Sequence, residues 1–234
     1  MARILLVHGS NHGGWCWRDL APALGALGHA VATVDLPSVS NEPASLAGAT
    51  LEDDVAAVVD ALDGPAVLVG HSAAGFVIAG AAERVPDAVT GLVYLCAYVP
   101  RPGATLNDLA REAPGRPLDG ALEVDRVHRA YRFREAALLG NLYGDCPAEV
   151  VHYARPRLGW QAIGAQSQAV ALPEGVPSHY VVCARDAVIP PEQQRAMAAE
   201  LPGAAVHELD TGHSPFFAAP VRLAALLDEI ARAV

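Results

Sequence analysis

The sequence has no lysine: all 16 basic residues among its 234 are arginine. That absence closes Schiff-base and pyridoxal phosphate chemistry, the Walker phosphate loop and the Ser-Lys dyad, each of which needs the amine. Positive charge is scarce as well, with 16 basic against 26 acidic residues and a formal charge of −10. Nucleic acid is therefore not an expected partner, because neutralising phosphates takes a clustered basic surface. Cysteine is sparse and dispersed: Cys16, Cys96, Cys146 and Cys183 form no C-x-x-C pair of the kind that holds zinc. All four are expected to be structural thiols, and no metal is expected.

Long apolar runs are missing too. The first, Ile4 to Val7, falls short of the roughly 7–15 residues of a signal-peptide core, which makes a cytoplasmic location the expectation. The stretch from Ala66 to Ala82 approaches spanning length, but His71, Ser72 and three glycines interrupt it. It reads as strand, turn and helix, and no membrane partner is expected.

What is present suits a large buried core, with 52% hydrophobic and 18% charged residues. Six short apolar runs read as strands: Ile4 to Val7, Ala30 to Val34, Ala66 to Val69, Leu92 to Cys96, Tyr180 to Cys183 and Ala205 to Leu209. Helical patterns alternate with them. Thr50-Leu-Glu-Asp53 resembles a capping box opening a helix through Leu62, and Pro190-Pro191-Glu192 suits a first helical turn. From Pro220 the apolar positions Leu223, Leu226, Leu227, Ile230 and Val234 share one helix face. Apolar strands without in-out alternation, spaced by helices, predict an α/β fold whose parallel sheet is covered on both faces. From Arg101 to about Pro177 the rhythm breaks and no clear strand is visible. This stretch, about 101–177, is expected to be a helical cap inserted into a single domain spanning 1–234.

The strongest chemical signal is Gly70-His71-Ser72-Ala73-Ala74-Gly75, directly after a strand and before an apolar helix. Small neighbours on both sides suit a nucleophile elbow, in which a serine sits on a strained strand-to-helix turn with its hydroxyl exposed above the sheet. The usual pattern has glycine at position 74; alanine adds one methyl. A serine hydroxyl needs a base, and a histidine held by a carboxylate is the common one. His213, in the loop after the last strand, can reach the same sheet edge. For the carboxylate, Asp186 leaves the fifth strand at that edge and completes the chain order Ser, Asp, His; Asp210 is the rival. Oxyanion donors are expected from the amide of Ala73, after the nucleophile, and from Ser10 in the glycine-rich loop His8-Gly9-Ser10-Asn11-His12-Gly13-Gly14. In a doubly wound sheet the first and third strands are neighbours, which brings that loop to Ser72. Trp15, Trp17, Tyr131, Phe133, Tyr143 and Trp160 are aromatic candidates for a pocket, with Trp160 taken as the substrate-binding choice. Arg126, Arg129, Arg132 and Arg134 read as a solvated surface of the cap.

With His8-Gly9, the His12-Gly-Gly-Trp-Cys-Trp17 loop, the Ser72 elbow, Ala97-Tyr-Val-Pro100, Tyr143-Gly-Asp-Cys146, Asp186 and His213, the chain resembles the α/β-hydrolase superfamily. More narrowly, it is similar to the branch of plant methylesterases, hydroxynitrile lyases and bacterial carboxylesterases. The resemblance implies an α/β-hydrolase fold with a six-stranded parallel sheet, and a serine carboxylesterase acting through an acyl-enzyme on a small neutral ester without a cofactor. In the lyases of the branch, as the resemblance implies, a lysine follows the catalytic histidine and a threonine lies in the oxyanion loop. Ser214 and Gly9 occupy those positions here, which favours ester hydrolysis over cyanohydrin cleavage. A small-molecule receptor, a carbon-carbon hydrolase and an acyltransferase share the same residues and stay open, as does a homodimer.

Overall fold

All six apolar runs become strands of one sheet in the computed structural model, which describes residues 1–234. Ten strands occur in chain order: β1 (Arg3–Val7), β2 (Ala30–Val34), β3 (Val39–Ser40), β4 (Ala66–His71), β5 (Val89–Leu95), β6 (Leu122–Asp125), β7 (Ala130–Phe133), β8 (Trp160–Ala162), β9 (Ser178–Cys183) and β10 (Ala205–Leu209). The main sheet runs β2-β1-β4-β5-β9-β10, and every neighbouring pair is parallel. Its central strands are buried on both faces, as β4 is at all of its residues, which explains why their sequences carry no alternation. The edge strands β2 and β10 are largely open to solvent.

Helices cover the sheet in two layers. Leu20–Ala26 packs with Pro220–Ala233, and Leu51–Asp60 packs with Ala74–Arg84. The capping box at Thr50 forms: its hydroxyl accepts from the Asp53 amide at 3.2 Å, and the Asp53 carboxylate accepts from the Thr50 amide at 2.8 Å. In the last helix Leu223, Leu227 and Ile230 are buried, while Val234 stays more open. The termini are tied together by His29, whose ring reaches the Ala2 amide at 3.3 Å and the Asp228 carboxylate at 2.7 Å. No helix is long and apolar enough to cross a membrane.

The stretch from 101 to 177, expected to be a helical cap, contains helices such as Leu106–Arg111 and Ala148–Ala154 but also strands. It holds β6, β7 and β8, which form with β3 a second, antiparallel sheet in the order β3-β8-β7-β6. The reason is visible in the register. Leu122 stands opposite Phe133 and Val124 opposite Tyr131 on one face, while Glu123 and Arg132 pair at 2.9 Å on the other. With three or four residues each, these strands present too few positions for a period of two to stand out in the sequence.

Candidate active site

β1 and β4 lie side by side, so the loops that leave their carboxyl ends, Gly9–Gly13 and Ser72, meet above the sheet. Ser72 has φ of 57°, a left-handed conformation that costs a non-glycine residue about 1–3 kcal/mol. The surroundings hold it there: its amide donates to Leu95 O at 3.2 Å, and its carbonyl accepts from the Tyr98 amide at 3.0 Å. Gly75 is required by the same turn, because a Cβ on it would overlap the Tyr98 carbonyl oxygen. Ala74, where the common pattern has glycine, is fully buried without such a conflict.

Ser72 Oγ lies 3.0 Å from His213 Nε2, and His213 Nδ1 lies 2.7 Å from Asp186 Oδ2. With Nδ1–H donating to the carboxylate, Nε2 is left to accept the serine proton. Asp186 is buried but fully engaged. Its Oδ1 accepts from the amides of Val188 at 2.7 Å and Ile189 at 2.9 Å, and its Oδ2 also accepts from Gln194 Nε2 at 2.8 Å. Asp210, the rival, points away to an exposed ion pair with Arg185 at 2.9 Å.

Of the expected oxyanion donors, Ala73 immediately precedes the helix Ala74–Arg84, where the first amides have no intrahelical acceptor. Ser10 lines the cavity beside Ser72. Neither amide finds an acceptor within the protein. The cavity above them has a volume of about 260 Å³, and Leu106, Leu118, Tyr131, Phe133, Ile163 and Val188 give its walls an apolar character.

Trp160 is not part of that wall, and its choice as the substrate-binding residue is corrected. On β8 it shares a face with Ala162, opposite Ala130 of β7, where it packs beside a small cluster of Leu46, Ala130, Ala162 and Ala165. Its ring carries the Arg132 guanidinium at 4.5 Å. Successive residues of a strand point to opposite faces, so the position one step along, Gln161, turns inward instead. Tyr131 and Phe133 do reach the cavity; Trp15 and Trp17 do not, and Tyr143 is buried with its hydroxyl on His12 Nε2 at 2.7 Å.

Further residues support Ser72, His213 and Asp186. Gln194, whose side chain also meets the Cys183 amide at 2.9 Å and the Ile189 carbonyl at 2.7 Å, fixes the Asp186 carboxylate. Asp145 accepts from the Gly212 amide at 2.6 Å and so ties down the loop before His213. His71 donates from Nε2 to the His213 carbonyl at 2.8 Å, and its place inside the elbow motif was the one available clue. Burial lowers the pKa of His71 and pushes that of His12 down to about 3, so both rings stay neutral and serve as hydrogen-bonding groups.

One cluster brings potential metal donors together, with ligand atoms of His71, Cys96 and His213 all within 4.8 Å of one another. It fits a cation poorly. Both ring nitrogens of His213 are occupied by Asp186 and Ser72, and burial raises the Cys96 thiol well above its usual range, which keeps it protonated.

A family model described as the alpha/beta hydrolase family matches residues 4–226. Among curated relatives, a carbendazim hydrolyzing esterase from a Nocardioides species is 35% identical over 73% of this chain and 71% of its own length. Methylesterase 7 of Arabidopsis thaliana is 30% identical, covering 98% of this chain and 96% of its own. The crystal structure of a pyrethroid hydrolase from Sphingobium faniae superposes with a TM-score of 0.86 at 28% identity, over 99% of this chain and 98% of that one. The chain thus belongs to the alpha/beta hydrolase family, in its methylesterase branch, among enzymes named as esterases and hydrolases.

Proposed function

We propose that the protein is a serine carboxylesterase acting on small neutral esters, with Ser72 as nucleophile, His213 as general base and acid, and Asp186 as its orienting carboxylate. The observation that carries this reading is the unbroken chain of hydrogen bonds from Ser72 Oγ through His213 to Asp186, at 3.0 and 2.7 Å, on the floor of an apolar cavity. In the forward step Ser72 Oγ attacks the ester carbonyl carbon while His213 Nε2 takes the hydroxyl proton. The carbonyl electrons move onto oxygen, where the amides of Ser10 and Ala73 stabilise the charge. Collapse of this intermediate breaks the ester C–O bond, and the departing alkoxide takes the proton from His213. Water then attacks the acyl-serine, gives its proton to the same nitrogen, and releases the acid with Ser72 restored.

The largely apolar cavity walls, where the exposed Arg111 is paired with Asp108 at 3.0 Å, support an uncharged substrate. Carbendazim and pyrethroids, for which two relatives are named, together with methyl esters, make suitable first members of a substrate panel. The test joins that panel to a fluorophosphonate label mapped by mass spectrometry. Turnover of a p-nitrophenyl or methyl ester, with the label on Ser72 and a rate loss of about 10⁶-fold in Ser72→Ala, is the expected result. Pure protein that binds these esters without cleaving them would make it a receptor and overturn the reading.

A further inference from the structure

Three successive residues of the oxyanion loop are gripped from the cap. Ser10 Oγ accepts from Gln166 Nε2 at 2.7 Å, and Gln166 Oε1 in turn accepts from the Tyr131 hydroxyl at 3.0 Å. Asn11, itself at φ of 64°, donates from Nδ2 to the carbonyls of Tyr131 and Gly159, each at 2.9 Å, and its own carbonyl accepts from the Gly159 amide at 2.9 Å. His12 accepts from the Tyr143 hydroxyl and donates from Nδ1 to the Ser10 carbonyl at 2.8 Å. Ser10 is therefore held by its hydroxyl on one side and its carbonyl on the other. Its amide alone is left without an acceptor.

We infer that Gln166 is a positioning residue for the oxyanion hole: its carboxamide locks Ser10 to the cap so that the Ser10 amide stays aimed at the developing oxyanion. The inference rests on the esterase reading above and adds to it a route by which the cap controls rate as well as fit. Gln166 lines the cavity, yet it is only 5% exposed and both ends of its amide are engaged, so it offers a substrate little polar surface. A donor that drifts by a fraction of an ångström weakens an interaction made only in the transition state. The signature of its loss is a fall in kcat at constant KM.

The experiment compares wild type, Gln166→Met, Ser10→Ala and the double variant with p-nitrophenyl acetate, and measures inhibition by a small trifluoromethyl ketone whose hemiketal oxyanion needs the same amides. Each single substitution is expected to lower kcat about 10- to 100-fold with KM changed by less than about twofold. The ketone's Ki should weaken by the factor that kcat loses, and the double variant should be no slower than the worse single, because both remove one contact. Ser10→Ala, which deletes a single oxygen from a partly exposed residue, carries the test if Gln166→Met does not fold. A raised KM with unchanged kcat, or losses that multiply in the double variant, would make Gln166 a mere wall residue and overturn the inference. Wild-type protein that neither turns over the ester nor takes a fluorophosphonate on Ser72 would overturn the esterase reading, and this one with it; the wild-type arm judges the first and the variant ratios judge the second.

Discussion

The loops at the carboxyl edge of the main sheet and the cap above them contribute unlike things to one site. The sheet edge supplies Ser72, Asp186, His213 and the Ala73 amide, with Asp186 fixed by the nearby amides of Val188 and Ile189, Ser72 by Leu95 and Tyr98, and the His213 loop by Asp145 from the cap. The cap supplies apolar wall and distant anchors: Gln166 is 156 positions from the serine it holds, and Tyr131 is 120 positions from Asn11. The reacting side chains thus sit on the sheet edge, whereas the apolar wall and the hold on Ser10 and Asn11 come from the cap. The same fold imposes two different tolerances to change.

The sharpest probe of the sheet side is Asp186→Asn. The amide oxygen still accepts from Val188 and Ile189, so the protein should fold, but the NH₂ faces the Gln194 donor and should lower the melting temperature. Facing His213, it imposes the wrong tautomer, so kcat should fall about 10⁴-fold. An unchanged rate would reassign the carboxylate role and break the comparison at its chemical end.

At the seam between the two regions Asp54 is buried under Ser38, whose hydroxyl and amide donate to it at 2.6 and 2.9 Å, while Gln161 of the cap sheet donates to that same hydroxyl at 2.9 Å. Burial outweighs these bonds and raises the Asp54 carboxyl to about 6. The folded state then holds a proton that the unfolded chain, near 3.8, has lost. The contribution is unfavourable above about pH 6 and is relieved as pH falls from 6 toward 4. Relative to Asp54→Asn, wild-type protein should therefore gain up to about 2–3 kcal/mol between pH 7 and pH 4, read from urea midpoints at each pH. A constant difference across that window would show that the seam does not titrate.

The smallest effects separate the two faces of the cap sheet. Phe133→Ala should raise KM for a bulky apolar ester about tenfold through lost contact area, whereas Trp160→Ala should leave kcat and KM within about twofold and register only as a lower melting temperature. Equal kinetic effects from both would deny that the pleat divides wall from exterior.

Legibility in the sequence followed the same division. The six main strands, the elbow and the Ser-Asp-His order could be read because a buried strand, a strained turn and a sheet-edge loop each constrain a handful of consecutive residues. Gln166 and Gln194 could not, since an ordinary polar side chain acquires its role only from what folding brings beside it; Asp145 stands in the Tyr143-Gly-Asp-Cys146 segment, but its bond to Gly212 is likewise visible only in the fold. Strand parity places Trp160 outside the cavity: without β8, nothing in the sequence tells which of its residues face inward. The arginines of the cap fit the solvated reading, with Arg132 on Glu123 and Arg134 on the Leu122 carbonyl.

The alternation along β7 has an evolutionary consequence. Tyr131 and Phe133 face the cavity, while Ala130 and Arg132 face away, so neighbouring codons are expected to answer to different selection. Substitutions at Phe133, or at Leu122 across from it, reshape the cavity without touching the hydrogen bonds that hold Ser10 and Asn11. Tyr131 lacks that freedom on its hydroxyl, which Gln166 engages. A lineage exploring new esters would be expected to vary the first pair and keep the tyrosine.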